Sequence, residues 1–297
     1  MTEISLIVAT KGRTAELGEL FESLLAQGCA PGALEVIVVD QNGDERLAPI
    51  VAGHAARGLD VRRIASAVPN ACHARNLGLA AAHGGIVGFP DDDCTVPPGV
   101  LARVGAAFAA GAALAVLTGP AASPAGGLGS GRWRGDAGPI TPANVWTSVI
   151  EFNLFLRRHV ALQLGGFDDR LGPGTRWGSA EGNDLVMRAI AAGHDARYDP
   201  GLRIVHPDKR LTEVARARAA LYGRGLGFVL RRHGVPVPVW LPYVIRPLGG
   251  MLLSALRGRL GDAGYYWGSL TGRLAGLLAP DTRTGLPLPP IAGAAPP

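Results

Sequence analysis

Two apolar runs near the N-terminus, ISLIVAT (4–10) and LEVIVVD (34–40), are continuous rather than alternating and rich in β-branched residues. Such runs predict strands that are buried on both faces of a parallel sheet. The segment between them predicts a helix that ends at Gly28, because its apolar side chains recur at helical spacing. Those apolar positions are Leu17, Leu20, Phe21, Leu24 and Leu25.

The alternation continues through the first half of the chain. We predict a helix over about 45–57, a weaker strand over 60–66, a helix within NACHARNLGLAAAHGG that stops at Gly84 and Gly85, and a fourth strand in GIVGF. Repeated strand–helix units predict an α/β fold with a doubly wound sheet, in which ligands bind at the carboxyl ends of the strands.

The second half is less regular. Its predicted elements are a strand near 113–119, a mobile Gly/Pro/Ser-rich loop over 120–142, ordered structure at 152–158, a helix over about 180–193 and one or two short strands that end at His206. Helical patterns dominate from residue 208, and the Pro-rich end, residues 281–297, predicts disorder.

The charge is distributed unevenly over the 297 residues. Residues 207–280 hold eleven Lys or Arg and three Asp or Glu, a net charge of +8, whereas the whole chain carries +5. A slightly acidic body with a basic, apolar extension differs from a uniformly basic nucleic-acid binder, so we expect no nucleic-acid partner. Three scattered cysteines and an N-terminal apolar run too short for a signal peptide predict a cytoplasmic protein with reduced thiols.

Three consecutive carboxylates, Asp91, Asp92 and Asp93, follow the predicted fourth strand. Like charges this close repel one another, so a cation is expected among them. Asp91 and Asp93, two residues apart, can point to the same side and share Mg²⁺ or Mn²⁺, which prefer oxygen ligands. The alternative is a solvated acidic turn or a helix cap.

Three further side chains are candidates for binding a nucleotide. Arg75 and Asn76 lie on the helix that leads into the Asp strand, where Arg75 could face a phosphate or be an ordinary surface residue. Asp40 ends the second predicted strand and could accept hydrogen bonds from a base or ribose. Its alternative is an Asx-turn into the following Asn-Gly.

A Gly-rich loop precedes the predicted helix at 180–193 and contains Trp177, which could stack on a sugar face. Glu181 lies at or near the start of that helix, and Asp184 is about one turn further on. Glu181 could take a proton from an attacking hydroxyl, although a carboxylate at this position is commonly only a cap.

Together these motifs resemble the family 2 glycosyltransferases of the GT-A fold, over roughly residues 4–206. The resemblance rests on the order and spacing of SLIVATKGR, VIVVDQNG, ARNLGLAAAHGGIVGFPDDDC, LGGFDDRLGPG and EGNDLVMRAIAAGH with a later His. It implies an α/β, GT-A type doubly wound mixed sheet with a C-terminal helical extension. The implied domains are a catalytic domain at 1–207, divided into a nucleotide-sugar half (1–119) and an acceptor half (120–207), and an extension at 208–280.

The resemblance also implies residue roles. Thr10 and Asp40 would lie beside the base and ribose, and Arg75 and Asn76 near the phosphates. Asp91 and Asp93 would be the metal ligands of an Asp-x-Asp motif whose variable middle residue is Asp92. His206 would help hold the metal or the diphosphate, and a packed histidine is the alternative.

The family commonly carries Glu-Asp-x-Asp at the start of the acceptor-side helix, whereas this chain has Glu181-Gly182-Asn183-Asp184. Glu181 is the first candidate for the catalytic base and Asp184 the second. The resemblance implies inversion at the anomeric carbon in one displacement. A hexosyl or deoxyhexosyl group would pass from a nucleoside-diphosphate sugar to a hydroxyl of a glycan or lipid-linked acceptor, in cell-surface polysaccharide or glycoconjugate synthesis.

Residues 235–260 are strongly apolar, with Trp240, Tyr243 and flanking arginines. Prolines and a Gly-Gly pair count against a spanning helix and favour an interfacial element on the inner face of an anionic membrane. A helical cap packed on the catalytic domain, or a dimer contact, is the alternative.

Two other functions compete with glycosyl transfer. A sugar-nucleotide nucleotidyltransferase would also use an α/β nucleotide-binding domain, and Lys11 and Arg13 follow the first strand. However, the Gly-rich basic loop that this function needs is not convincing in ATKGRTAELG. A binding subunit without catalysis is supported by Gly182 and opposed by the intact Asp91, Asp93 and Glu181.

Overall fold

The computed structural model describes residues 3–208 and 211–280, so the predicted disordered tail at 281–297 lies outside the described residues. The strands are β1 (Ile4–Thr10), β2 (Leu34–Asp40), β3 (Val61–Ala65), β4 (Ile86–Gly88), β5 (Leu114–Thr118), β6 (Ala121–Ala122), β7 (Gly138–Pro139), β8 (Leu154–Arg157), β9 (Asp195–Tyr198) and β10 (Ile204–Val205). The α-helices are α1 (Ala15–Leu25), α2 (Ala48–Ala56), α3 (Ala71–Ala81), α4 (Val100–Ala110), α5 (Arg158–Gln163), α6 (Glu181–Ala191), α7 (Glu213–Arg232), α8 (Val237–Leu256) and α9 (Leu260–Leu277).

Eight strands form one mixed sheet in the order β3-β2-β1-β4-β8-β5-β9-β7. β8 and β7 run antiparallel to their neighbours, and the other six strands are parallel to one another. The predicted α/β doubly wound mixed sheet with a C-terminal helical extension is confirmed. The insertion of β8 between β4 and β5 was not predicted, because hydrophobic pattern carries no information on strand order.

The continuous apolar runs are explained by burial on both faces of the sheet. Ile7 and Ile37 belong to one hydrophobic cluster, whereas Leu6, Val8 and Val36 belong to another. Since successive side chains of a strand point to opposite faces, both clusters need apolar residues from the same strands.

The stretch at 120–142, predicted as a loop, contributes β6 and β7. β6 pairs with β10, and beside this pair Thr95 exchanges two backbone hydrogen bonds of 2.9 Å with Val205. This bridge joins the turn after Asp93 to the residue before His206, although the two lie more than 100 residues apart in the chain.

Glycines allow α7 and α9 to pack closely in the extension. A Cβ atom at Gly276 would lie 2.6 Å from the backbone nitrogen of Phe228, and one at Gly223 would lie 2.5 Å from the carbonyl oxygen of Ser269. Small residues at such crossings let helix backbones approach each other. α7 therefore anchors α9 through its backbone.

α8 is one uninterrupted helix, although Pro242 and Pro247 lie inside it. The glycine pair, predicted as a break, lies within the helix, and a Cβ atom at Gly250 would meet the Tyr266 ring at 2.8 Å. Close packing against α9 therefore explains Gly250. Among the described residues, α8 alone is long and apolar enough to cross a membrane, and only 11% of its apolar window is buried.

Candidate active site

The three aspartates after β4 lie in a turn, which the 3.1 Å hydrogen bond from the backbone nitrogen of Cys94 to the carbonyl oxygen of Asp91 closes. Asp92 is buried beneath the end of β1, where the Thr10 hydroxyl donates a 2.7 Å hydrogen bond to its Oδ2 and Arg13 pairs with its Oδ1. Nη2 of Arg13 lies 2.8 Å from Oδ2 of Asp93. The guanidinium of Arg13 therefore bridges two of the three carboxylates and reduces their mutual repulsion.

Asp91 and Asp93 both lie close to His206. Nε2 of His206 lies 3.3 Å from Oδ1 of Asp93 and 3.9 Å from Oδ2 of Asp91. One ligand atom from each residue can be chosen so that all three lie within 4.8 Å of one another. The Thr95–Val205 bridge explains why a histidine so distant in sequence reaches the aspartates.

These three residues fit a divalent cation. Oδ1 of Asp93 is buried without a hydrogen-bond partner, so an anionic oxygen is available. The ring of His206 stacks on Phe152 at 4.5 Å, and its Nδ1 lies 2.8 Å from the carbonyl oxygen of Pro207. When Nδ1 carries the proton and donates it to that carbonyl, Nε2 is left as a lone-pair donor, as a metal ligand requires.

Asp40 ends β2 and is buried. Its Oδ1 accepts hydrogen bonds from the backbone and side-chain nitrogens of Asn42, at 2.9 and 2.8 Å, and its Oδ2 pairs with Arg63 at 3.3 Å. The Asx-turn considered from the sequence is therefore present, and it holds the Asp40 carboxylate at the carboxyl edge of the sheet.

Arg75 connects the two acidic parts of the site. It projects from α3 and is buried, with Nη2 donating to Asp91 at 2.8 Å and Nη1 donating to Glu181 at 3.2 Å. Burial lowers the pKa of the Arg75 guanidinium, but Asp91 and Glu181 outweigh burial and hold that pKa above its usual range. Arg75 therefore remains charged and fixes both carboxylates.

Asn76 faces away from these carboxylates. Its amide nitrogen donates to the carbonyl oxygen of Phe167 at 2.8 Å and to Asp169 at 3.0 Å, while its amide oxygen accepts from the backbone nitrogen of Phe167 at 2.8 Å. This set of bonds ties α3 to the turn at 167–169. Asn76 therefore stabilises the position of α3, the helix that carries Arg75.

Glu181 is the first residue of α6 and is 4% exposed. Ala180 before it has a φ of 72°, a left-handed backbone that is uncommon for alanine and is found more often at functional sites. Burial, together with the charge of Glu151, raises the pKa of Glu181 to about 8, against the opposing effect of Arg75. A carboxylate with a pKa near neutrality suits a general base.

Glu151 was missed from the sequence. It lies in the short 3₁₀ turn Glu151–Asn153 before β8, and its Oε1 accepts a 3.2 Å hydrogen bond from the backbone nitrogen of Gly182. Burial raises its pKa, an effect that Arg75 opposes. The available signal was a single carboxylate inside the apolar run VIEFNLFL, where a charge must have a structural or chemical reason.

Asp184 is fully buried and surrounded by basic side chains. Oδ2 accepts from Arg188 at 2.8 Å, and Oδ1 lies 2.9 Å from Nε2 of His233 and 3.4 Å from Nη1 of Arg232. Burial raises the pKa of Asp184, but the hydrogen bond with His233 and the charges of Arg188 and Arg232 outweigh it and lower the pKa overall. Asp184 thus joins α6 to the end of α7.

Trp177 is packed rather than open. Its ring stacks on Phe228 of α7 at 4.3 Å with an interplanar angle of 13°, and Arg176 lies over it at 4.7 Å. The residue is 9% exposed. The indole therefore anchors the extension to the loop before α6, and little of its surface is left for a sugar.

Comparison with known proteins agrees with this architecture. A model of the family "Glycosyl transferase family 2" matches residues 5–161, more than half of the chain. The mannosyltransferase PcManGT from Pyrobaculum calidifontis, solved with GDP-Man and Mn²⁺, superimposes with a TM-score of 0.65 at 16% identity, covering 92% of this chain and 87% of that one. Residues 1–349 of S. aureus TarS, solved with UDP-GlcNAc, give a TM-score of 0.59 at 17% identity and cover 92% of both chains. No curated protein sequence matched the chain significantly.

The chain belongs to glycosyl transferase family 2 and has the GT-A fold. The resemblance inferred from its motifs is confirmed, and the protein is a glycosyltransferase rather than a nucleotidyltransferase.

Proposed function

We propose that the protein is an inverting, metal-dependent glycosyltransferase that uses a nucleoside-diphosphate sugar. The observation that carries this proposal is the cluster of Asp91, Asp93 and His206 at the carboxyl edge of the sheet, with a buried oxygen that lacks a hydrogen-bond partner. PcManGT, solved with GDP-Man and Mn²⁺, and TarS, solved with UDP-GlcNAc, support a donor of this class.

Asp91, Asp93 and His206 would hold Mg²⁺ or Mn²⁺, which when bound supplies positive charge to the diphosphate oxygens of the donor. Thr10 and Asp40, at the carboxyl ends of β1 and β2, and Asp92, after β4, would lie beside the nucleoside. Arg75 keeps Asp91 and Glu181 in fixed positions through two hydrogen bonds.

Glu181 is the proposed base. The acceptor hydroxyl oxygen attacks the anomeric carbon from the face opposite the diphosphate, its proton passes to Glu181, and the carbon–oxygen bond to the diphosphate breaks. Asp184 is not assigned this role, because two arginines and a histidine already surround its carboxylate. We propose a hexosyl or deoxyhexosyl donor and a glycan or lipid-linked acceptor of cell-surface polysaccharide or glycoconjugate synthesis.

We further propose that residues 1–207 form the catalytic domain, with a nucleotide-sugar half at 1–119 and an acceptor half at 120–207. Residues 208–280 form the extension, which would place the enzyme on the cytoplasmic face of an anionic membrane. One face of α8 supports this placement, because large apolar side chains recur along it at helical spacing and are exposed. They are Val237, Leu241, Ile245, Leu248, Leu252 and Leu256.

A donor screen tests the catalytic proposal. Nucleoside-diphosphate sugars are incubated with the enzyme and Mn²⁺ or Mg²⁺, and release of nucleoside diphosphate is followed. We expect turnover with one donor group and its loss when EDTA is added. The Asp93→Ala variant should lose both turnover and Mn²⁺ binding. Asp44→Ala, an exposed carboxylate paired with Arg46, is the matched control and should keep both properties. Full activity of Asp93→Ala, or turnover in EDTA, would remove the metal assignment.

A further inference from the structure

Gly182 stands at a place where a side chain would meet Glu151. A Cβ atom built on Gly182 would lie 2.9 Å from Cγ, 3.1 Å from Oε1 and 3.2 Å from Cδ of Glu151. These distances are too short for an ordinary contact, so the Glu151 side chain would have to shift to admit a larger residue at 182. The glycine is thus explained by a second acidic side chain that arrives from another element.

Glu151 is held in this place by the helix itself. The backbone nitrogen of Gly182 is one of the first N–H groups of α6, which have no partner within the helix, and it donates to Oε1 of Glu151 at 3.2 Å. A carboxylate is favoured there by the positive end of the helix dipole. Glu151 therefore reaches the N-terminus of α6 beside Glu181 without belonging to α6.

The charges around Glu151 and Glu181 are not balanced. Arg75 acts on both of them and also donates a hydrogen bond to Asp91. Cys72 also lies near, because a Cβ atom at Gly172 would touch both its sulfur and Glu181. Three carboxylates around one guanidinium disfavour full ionisation, as in other sites where two carboxyl groups share a proton.

We propose that Glu151 takes the place of an acidic side chain at position 182 and, with Glu181, forms the carboxylate pair that receives the acceptor proton. Glu181 takes the proton from the hydroxyl oxygen as that oxygen bonds to the anomeric carbon and the diphosphate leaves with the bonding electron pair. Glu151 is a positioning residue, which holds the start of α6 and sets the protonation state of Glu181. This inference rests on the proposed glycosyl transfer.

The test compares four variants at saturating donor, with release of nucleoside diphosphate as the readout. On the plateau above the rising limb, Glu151→Gln should lower kcat at least about tenfold, because a less basic Glu181 takes the acceptor proton less readily, and should leave KM for the donor within about twofold. Glu151→Ala should lose at least as much. Glu151→Ala/Gly182→Asp should recover most of the loss, because the carboxylate returns from α6 into the space that Glu151 vacates. Glu22→Gln, an exposed carboxylate far along α1, is the control with unchanged kcat.

A pH profile separates positioning from general damage. Removing the negative charge of Glu151 should move the rising limb of kcat to lower pH in Glu151→Gln, since Glu181 then loses its proton more readily. The other ionisable groups near Glu181, which are Arg75, Asp91 and Cys72, are the same in both proteins. A wild-type kcat and an unmoved limb in Glu151→Gln would overturn the inference while leaving the glycosyltransferase assignment intact. A double variant no more active than Glu151→Ala would also overturn it. A wild-type protein that releases no nucleoside diphosphate from any donor would overturn both proposals.

Discussion

Nε2 of His233 lies 2.9 Å from Oδ1 of Asp184, so the end of α7 is joined to the helix that carries Glu181. Arg232, the preceding residue, pairs with both Asp184 and Asp168. The C-terminal extension is therefore attached to the active site through buried charges as well as through the stack of Phe228 on Trp177.

Asp184→Asn should destabilise the fold. It removes the charge that neutralises Arg188 and Arg232, and breaking a buried ion pair from one side costs about 3–5 kcal/mol. Chemical unfolding measures the difference. Asp195→Asn removes a partly exposed carboxylate paired with the exposed Arg197 and should cost less than about 1 kcal/mol. Equal stability of the Asp184 and Asp195 variants would contradict the structural role of Asp184.

Glu181→Gln should alter how stability depends on pH. The pKa of Glu181 is raised to about 8, so between pH 5 and 8 the folded protein keeps a proton that the unfolded chain has lost. Because the folded state then binds more protons, the Glu181 carboxylate reduces stability as pH rises, and glutamine abolishes this contribution.

We therefore expect the melting temperature of Glu181→Gln, relative to the wild type, to increase from pH 5 to pH 9. About 1 kcal/mol corresponds to roughly 2–4 °C in proteins of 150–250 residues. Glu22→Gln is the control, because the pKa of Glu22 is lowered to about 2 and no titration of that group falls in this range in the folded state. A constant difference for Glu181→Gln across the range would refute the raised pKa.

Gly276→Ala should weaken the packing of α9 on α7. Its Cβ atom would overlap the carbonyl oxygen of Arg224 and lie 2.6 Å from the nitrogen of Phe228, both backbone atoms that cannot rotate away. Overpacking of this kind costs about 1–3 kcal/mol. Gly264→Ala on the same helix meets nothing within 4 Å and should be neutral or stabilising by up to about 1 kcal/mol. Thermal unfolding distinguishes them, and a destabilised Gly264 variant with a normal Gly276 variant would reverse the prediction.

The exposed face of α8 should bind anionic vesicles. We expect the wild type to sediment with vesicles of phosphatidylcholine and phosphatidylglycerol at low salt, and less at high salt, because arginines contribute to the attraction. Leu252→Glu/Leu256→Glu should lower the bound fraction by a factor of about five or more, since two charges enter the apolar face.

Leu128→Glu is the matched control for vesicle binding, because Leu128 is similarly exposed, at 52%, but lies outside the extension. If the wild type does not sediment with these vesicles at either salt concentration, α8 is a packed cap or a contact between copies, which is the alternative considered from the sequence.

The local pattern of apolar residues predicted most strands of the sheet, because each strand is formed by consecutive residues. The runs at 4–10 and 34–40 are β1 and β2, with bounds that match the structure. The position of the three aspartates directly after the predicted fourth strand also indicated the carboxyl edge of the sheet, because parallel strands end at the same edge. The prediction that His206 joins these aspartates depended on the resemblance to a family, because neither segment alone indicates the bridge from Thr95 to Val205.

The fold class, the acidic edge of the sheet and the family can be read from the chain, because hydrophobic periodicity and motif order do not depend on long-range contacts. Which carboxylates are free to react depends on the folded arrangement. Asp184 is surrounded by basic side chains from α6 and the end of α7, Trp177 is covered by Phe228, and Glu151 fills the space beside Gly182. Burial and pairing set the charge state of a carboxylate, and both depend on neighbours that are distant along the chain.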